Sequence, residues 1–123
     1  MAEFRFGIVA SNYEQSLTFY RDGLGLETIR SWDEGPKGRG TLFKAADGTI
    51  EVFSTEALPS ATPRGIWMYF EVADVDVCFE RAVANGLHIL LKPVNTSWGH
   101  RRFKVRDPDG VEVGIFSQSR SVE

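Results

Sequence analysis

The stretch RRFKVRDPDGVEVGIF, residues 101–116, decides the fold. Asp107-Pro108-Asp109-Gly110 at its centre reads as a tight turn. Proline presets φ at the second position, and Gly110 supplies the positive φ that closes a type I turn with a bulge. Apolar and polar residues alternate on both sides, which is the period of a β-hairpin. With Asp107 opposite Val111, Val105 faces Val113 and Phe103 faces Ile115 on one side of the sheet. The other side sets Arg106 against Glu112, Lys104 against Gly114 and Arg102 against Phe116, which leaves Lys104 with no carboxylate opposite it and open space at Gly114. One face is apolar and the other is charged and aromatic, so function belongs to the second.

A shorter hairpin occurs earlier, in GTLFKAADGTIEVFS, residues 40–54. Asp47-Gly48 reads as the two-residue type I′ turn, which pairs Phe43 with Val52, Ala45 with Ile50 and Lys44 with Glu51. Phe43-Lys44 returns as Phe103-Lys104, Asp47-Gly48 as Asp109-Gly110, and Phe53-Ser54 as Phe116-Ser117. The offsets are 60, 62 and 63 residues. Such a period marks two copies of one supersecondary unit.

The flanking segments complete each copy. Phe4–Ala10 alternates as a strand, Asn12 or Ser11 caps a helix over Tyr13–Gly23, and Leu17, Tyr20 and Leu24 form its apolar stripe. Leu26–Trp32 is a second strand, followed by a polar loop over residues 33–39, beside which Trp32 can act as a lid. Residues 55–64 hold two prolines and link the copies. Ile66–Val72 repeats the first strand with Ile66, Met68, Phe70 and Val72 inward. Asp74 caps a helix over Val75–Asn85 with Phe79, Ala82 and Val83 buried, and Leu87–Lys92 is a strand. The reading is an α+β fold: residues 1–123 form a single domain of two β-α-β-β-β modules, 4–54 and 65–117. Their helices cover the apolar faces, and the sheets curve around a cup.

Composition bounds the function. One domain of 123 residues buries about two-thirds of its unfolded surface. A net charge of −3 argues against nucleic acid, and no stretch approaches the ~20 apolar residues of a membrane span. The single Cys78 cannot make an internal disulfide, and MAEFRFGIV shows neither the basic nor the apolar part of a signal peptide. Both point to a reducing cytoplasm.

FYRDGLGLE (19–27), the two Asp-Gly hairpins, VADVD (72–76) and WGHRRFKVRDPDG (98–110) resemble the vicinal oxygen chelate superfamily. That superfamily includes glyoxalase I, ring-cleaving dioxygenases, fosfomycin-resistance enzymes and bleomycin-resistance binding proteins, so the resemblance implies the glyoxalase/bleomycin resistance fold. Metal-using members hold the ion with four cup-facing ligands, typically His or Gln and Glu. The resemblance maps those positions onto Arg5, Glu51, Trp67 and Gly114. Arginine is permanently cationic, tryptophan has no lone pair to give and glycine has no side chain. Only Glu51 remains, so neither a metal nor another cofactor is expected.

The residues that alternation sends to the cup are Arg5, Phe53, Trp67, Tyr69, Arg102, Lys104 and Phe116, with Trp98 from the adjoining loop. Arg5 is either a carboxylate clamp or the ion-pair partner of Glu51. Glu51 and His100 are the candidates for acid–base chemistry, against the simpler readings of a paired carboxylate and a hydrogen-bonded histidine. His88 reads as a structural strand residue. Five aromatics with basic neighbours suit a flat aromatic or anionic ligand. The resemblance therefore favours an antibiotic-resistance-like binding protein that sequesters a small organic molecule. The alternative is a lyase, isomerase or dioxygenase on the same scaffold using Glu51 and His100. Relatives commonly pair two chains, which implies a homodimer.

Overall fold

The computed structural model describes residues 5–57 and 66–119. Phe4 and most of the expected linker lie outside them. The first half runs β1 (Arg5–Ala10), α1 (Tyr13–Leu17) continuing as a π-helix (Thr18–Gly23), β2 (Glu27–Asp33), β3 (Arg39–Ala45) and β4 (Gly48–Ser54). The second runs β5 (Trp67–Glu71), α2 (Val75–Ala84), β6 (His88–Asn95), β7 (His100–Arg106) and β8 (Glu112–Gln118). Each half makes a four-stranded mixed sheet, in the orders β1-β4-β3-β2 and β5-β8-β7-β6. The expected β-α-β-β-β repeat is present in both.

The helix starts follow from their caps. Asn12 accepts from the Gln15 amide at 3.0 Å, and Asp74 accepts from the Asp76 and Val77 amides at 3.0 and 3.2 Å. Each side chain satisfies donors that the first helical turn leaves without partners. The first helix departs from expectation after Leu17. Its hydrogen bonds widen to a π pattern, as in Leu24 N to Phe19 O at 3.0 Å. The stripe Leu17, Tyr20 and Leu24 is buried as read. In α2, Ala82 is buried as expected and Phe79 partly covered, but Val83 is 52% exposed and Val75 takes the remaining buried position. Val83 lies round the helix from the line that Val75, Phe79 and Ala82 make.

The second hairpin has the register its turn dictates. Val105 pairs with Val113, Phe103 with Ile115 and Arg102 with Phe116, and Gly110 carries φ 92°. The first hairpin differs. Phe43 pairs with Ile50, Lys44 with Thr49 and Ala45 with Gly48, two residues from the expected register. Ala46, not glycine, takes the positive φ of 54°, and Gly48 belongs to the strand. A slip of two preserves the faces, because side chains alternate with period two. β6 is also longer than read and holds Pro93, which an edge strand tolerates. Ile66 precedes β5 and is 43% exposed, where an inward position was expected.

One core joins the halves. Ile8, Tyr20, Phe43 and Val52 of the first cluster with Val75, Phe103, Val113 and Ile115 of the second. The turn at residues 107–110 adds polar ties: Tyr20 Oη donates to Asp107 Oδ2 at 2.8 Å, and the Ser11 amide donates to Asp109 at 3.0 Å. Arg81 reaches the Asp22 carbonyl at 2.9 Å. The apolar faces are thus spent on each other and on the helices, and the opposite face of each sheet is left open. No helix among the described residues is long and apolar enough to cross a membrane.

Candidate functional site

On the open face of the first sheet, Arg5 Nη1 meets Glu51 Oε2 at 3.2 Å. The ion-pair reading of Arg5 is the one this geometry realises. Trp32 lies flat over Gly40, where an added Cβ would fall 2.2 Å from the indole, and its ring meets Phe53 edge-on at 6.2 Å. Arg30 covers Trp32 at 4.8 Å. Trp32 is therefore part of the face and not a loop lid. Gly40→Ala should displace that indole and cost about 1–3 kcal/mol, the usual range for overpacking. A lowered thermal midpoint with altered near-ultraviolet circular dichroism would show it; an unchanged aromatic spectrum would not fit.

The second open face is richer. Phe116 stacks on His100 at 4.0 Å between centroids and on Tyr69 at 4.6 Å, within 17° of parallel. His100 Nδ1 receives the Trp98 Nε1–H at 3.2 Å and lies 3.0 Å from Tyr69 Oη. An indole N–H can only donate, so Nδ1 keeps its lone pair and the neutral ring carries its proton on Nε2. His100 thus offers a hydrogen-bond donor at Nε2, whereas a general base needs a lone pair there. Glu51 stands in the other sheet, where Arg5 holds its carboxylate. His88 is exposed opposite Arg106, away from this stack.

Arg102 lies over Trp98 at 5.1 Å, and its Nε is buried with no hydrogen-bond partner. Lys104 is not alone, as its place opposite Gly114 suggested. Its Nζ meets Glu112 Oε2 at 3.0 Å, across the diagonal. Arg106, expected to pair with Glu112, donates instead to the Gly110 carbonyl at 3.2 Å. Nor is the space above Gly114 empty, since a Cβ there would meet the Tyr69 ring at 2.6 Å. Beside these groups lies a hollow of about 530 Å³ lined by Ile66, Trp67, Arg102, Lys104, Arg106, Gly110 and Glu112. Arg106 and Glu112 were missed as site residues, although alternation puts both on this face.

The four metal-ligand positions do not fit a divalent ion. Arg5 holds Glu51, Trp67 has no donor pair and Tyr69 occupies the space at Gly114. No cluster of three or more His, Cys, Asp or Glu occurs among the described residues.

The fold recurs among known proteins. TnmS3, an antibiotic binding protein from Streptomyces sp. CB03234, matches with TM-score 0.75 at 23% identity over 97% of each chain. TioX from Micromonospora sp. ML1 matches with TM-score 0.75 at 18% identity, covering 96% of this chain and 99% of that one. A protein of unknown function from Agrobacterium tumefaciens str. C58 matches with TM-score 0.74 at 25% identity, covering 96% and 94%. Among curated proteins none matches. The shared fold is accompanied by a family-model match over residues 4–115, and the chain belongs to the Glyoxalase/Bleomycin resistance protein/Dioxygenase superfamily.

Proposed function

We propose that the protein binds a small aromatic or anionic molecule without a metal, sequestering it as a resistance-type binding protein does. One observation carries the reading: Trp67 and Trp98, 60% and 58% exposed, flank the Tyr69–Phe116–His100 stack with the Arg102 guanidinium held beside them. Exposed indoles on a fixed platform lose little freedom when they stack on a ligand. The fork of a guanidinium held in this way favours an anionic acceptor brought by that ligand. The antibiotic binding described for TnmS3 is consistent with such a use of the fold. All three tryptophans lie on or beside the open faces, so intrinsic fluorescence reports occupancy. Titration against aromatic carboxylates and bleomycin-type glycopeptides should give saturable quenching for at least one class. Flat responses throughout would remove the reading.

The same reading includes a homodimer in the cytoplasm, where Cys78 stays a thiol. Among the described residues, no hydrogen bond, ion pair or ring contact joins the two open faces of one chain. Ile66, Trp67, Val94 and Trp98 are left exposed on the second. A second copy would lay its first sheet over this face and complete the cup. Light scattering at micromolar concentration should give twice the 13.8 kDa chain mass. A value near 13.8 kDa would refute the dimer.

A further inference from the structure

We propose that the hollow on the second sheet is a dianion site, taking the phosphate monoester of a ligand whose flat ring stacks on Trp67. The inference rests on the small-molecule reading above and narrows its ligand class. Arg102, Lys104 and Arg106 alternate along β7, so all three project from one face at intervals of about 7 Å. Among the described residues lining the hollow, Glu112 is the one carboxylate. Three cations against one anion leave a net charge of +2. Lys104 is satisfied by Glu112, and Arg106 spends one donor on the Gly110 carbonyl. The rest of the Arg106 fork and the outer Nη groups of Arg102, which lines the hollow, remain for a guest.

A monocarboxylate would balance only half of that charge. A phosphate monoester carries close to two negative charges at neutral pH, and three oxygens that planar guanidinium forks match in pairs. Trp67, more than half exposed on the same wall, supplies the face for the ring that carries the phosphate. The volume of about 530 Å³ accommodates both parts.

The test compares phenyl phosphate, benzoate and inorganic phosphate on the full chain in phosphate-free buffer, by calorimetry and tryptophan fluorescence. Phenyl phosphate should bind at least about tenfold more tightly than benzoate, as one extra charge-assisted contact gives. Arg102→Gln and the more exposed Arg106→Gln should each lower its affinity about tenfold, and added salt should weaken it further. Trp67→Ala should weaken phenyl phosphate but leave inorganic phosphate unchanged, separating a ring-borne phosphate from a free ion. Equal affinity for benzoate and phenyl phosphate would overturn the dianion site while leaving the aromatic reading intact. Undiminished binding in Arg106→Gln would also overturn it. If neither aromatic probe binds, the dianion site falls, and the small-molecule reading is decided separately by the glycopeptides of the fluorescence panel.

Discussion

Asp107→Ala will lower the stability of the protein by about 2–4 kcal/mol, the cost of leaving several buried polar groups without partners. Asp107 is 3% exposed. Its Oδ1 accepts from the Asp109 and Val111 amides at 2.8 Å each, and its Oδ2 from Tyr20 Oη at 2.8 Å. Alanine removes all three acceptors at once, at the turn that sets the second hairpin and at a tie between the halves. Asp107→Asn should cost far less, because its carbonyl can serve both amides while its NH₂ donates to the tyrosine oxygen.

The pair of variants also separates charge from geometry. Burial pushes the Asp107 carboxyl above its ordinary value, against the hydrogen bonds from Val111, Tyr20 and Asp109. A raised folded value means the native state holds its proton longer than the unfolded one. That contribution is fully present below the ordinary carboxylate range and is lost as pH rises through the raised value. Relative to the parent, Asp107→Asn should therefore gain stability as pH rises across this window. Urea unfolding at several pH values reads both effects, and an alanine variant within 0.5 kcal/mol of the parent would remove Asp107 as a structural tie.

Arg102→Ala will weaken ligand binding by about 1.5–3 kcal/mol, the value of a charge-assisted hydrogen bond. The guanidinium sits over Trp98 and lines the hollow, where an anionic ligand can meet its Nη groups. Trp98→Ala should cost a similar amount. The indole supports Arg102 and fixes the His100 tautomer through its N–H, so one substitution disturbs two neighbours. Since Arg102 and Trp98 touch, the double variant should lose less than the sum of the two. Calorimetric titration of a ligand from the fluorescence panel checks this, and unchanged affinity in both variants would place the site elsewhere.

The second hairpin was legible in the sequence because proline and glycine fix its turn; its strand pairs then follow by counting. The first was not. Asp-Gly advertises a two-residue turn, yet the chain turns one residue earlier, at Ala46-Asp47. Alternation identifies the face of a residue but cannot tell a register from one shifted by two. The partner of Lys104 escaped for a related reason. Pairing was read straight across, whereas a long side chain reaches the diagonal neighbour Glu112. Gly114 looked like an opening because glycine is small, and what fills it comes from β5, a strand distant in sequence. The aromatic membership of the site is visible from period two, with Trp98 added by its place in the loop before β7. Its hydrogen-bonded order, Trp98 to His100 beside Tyr69, depends on rotamers and loop path that no periodicity encodes.

Binding that persists without metal is the central claim, and one titration tests it most directly. The protein is treated with chelator, shown by elemental analysis to hold less than a tenth of an equivalent of zinc, nickel, iron or manganese, and titrated with the best ligand of the panel by tryptophan fluorescence. The expected result is saturable quenching with the same affinity before and after stripping. Binding that disappears on stripping and returns with one equivalent of a divalent ion would contradict the assignment.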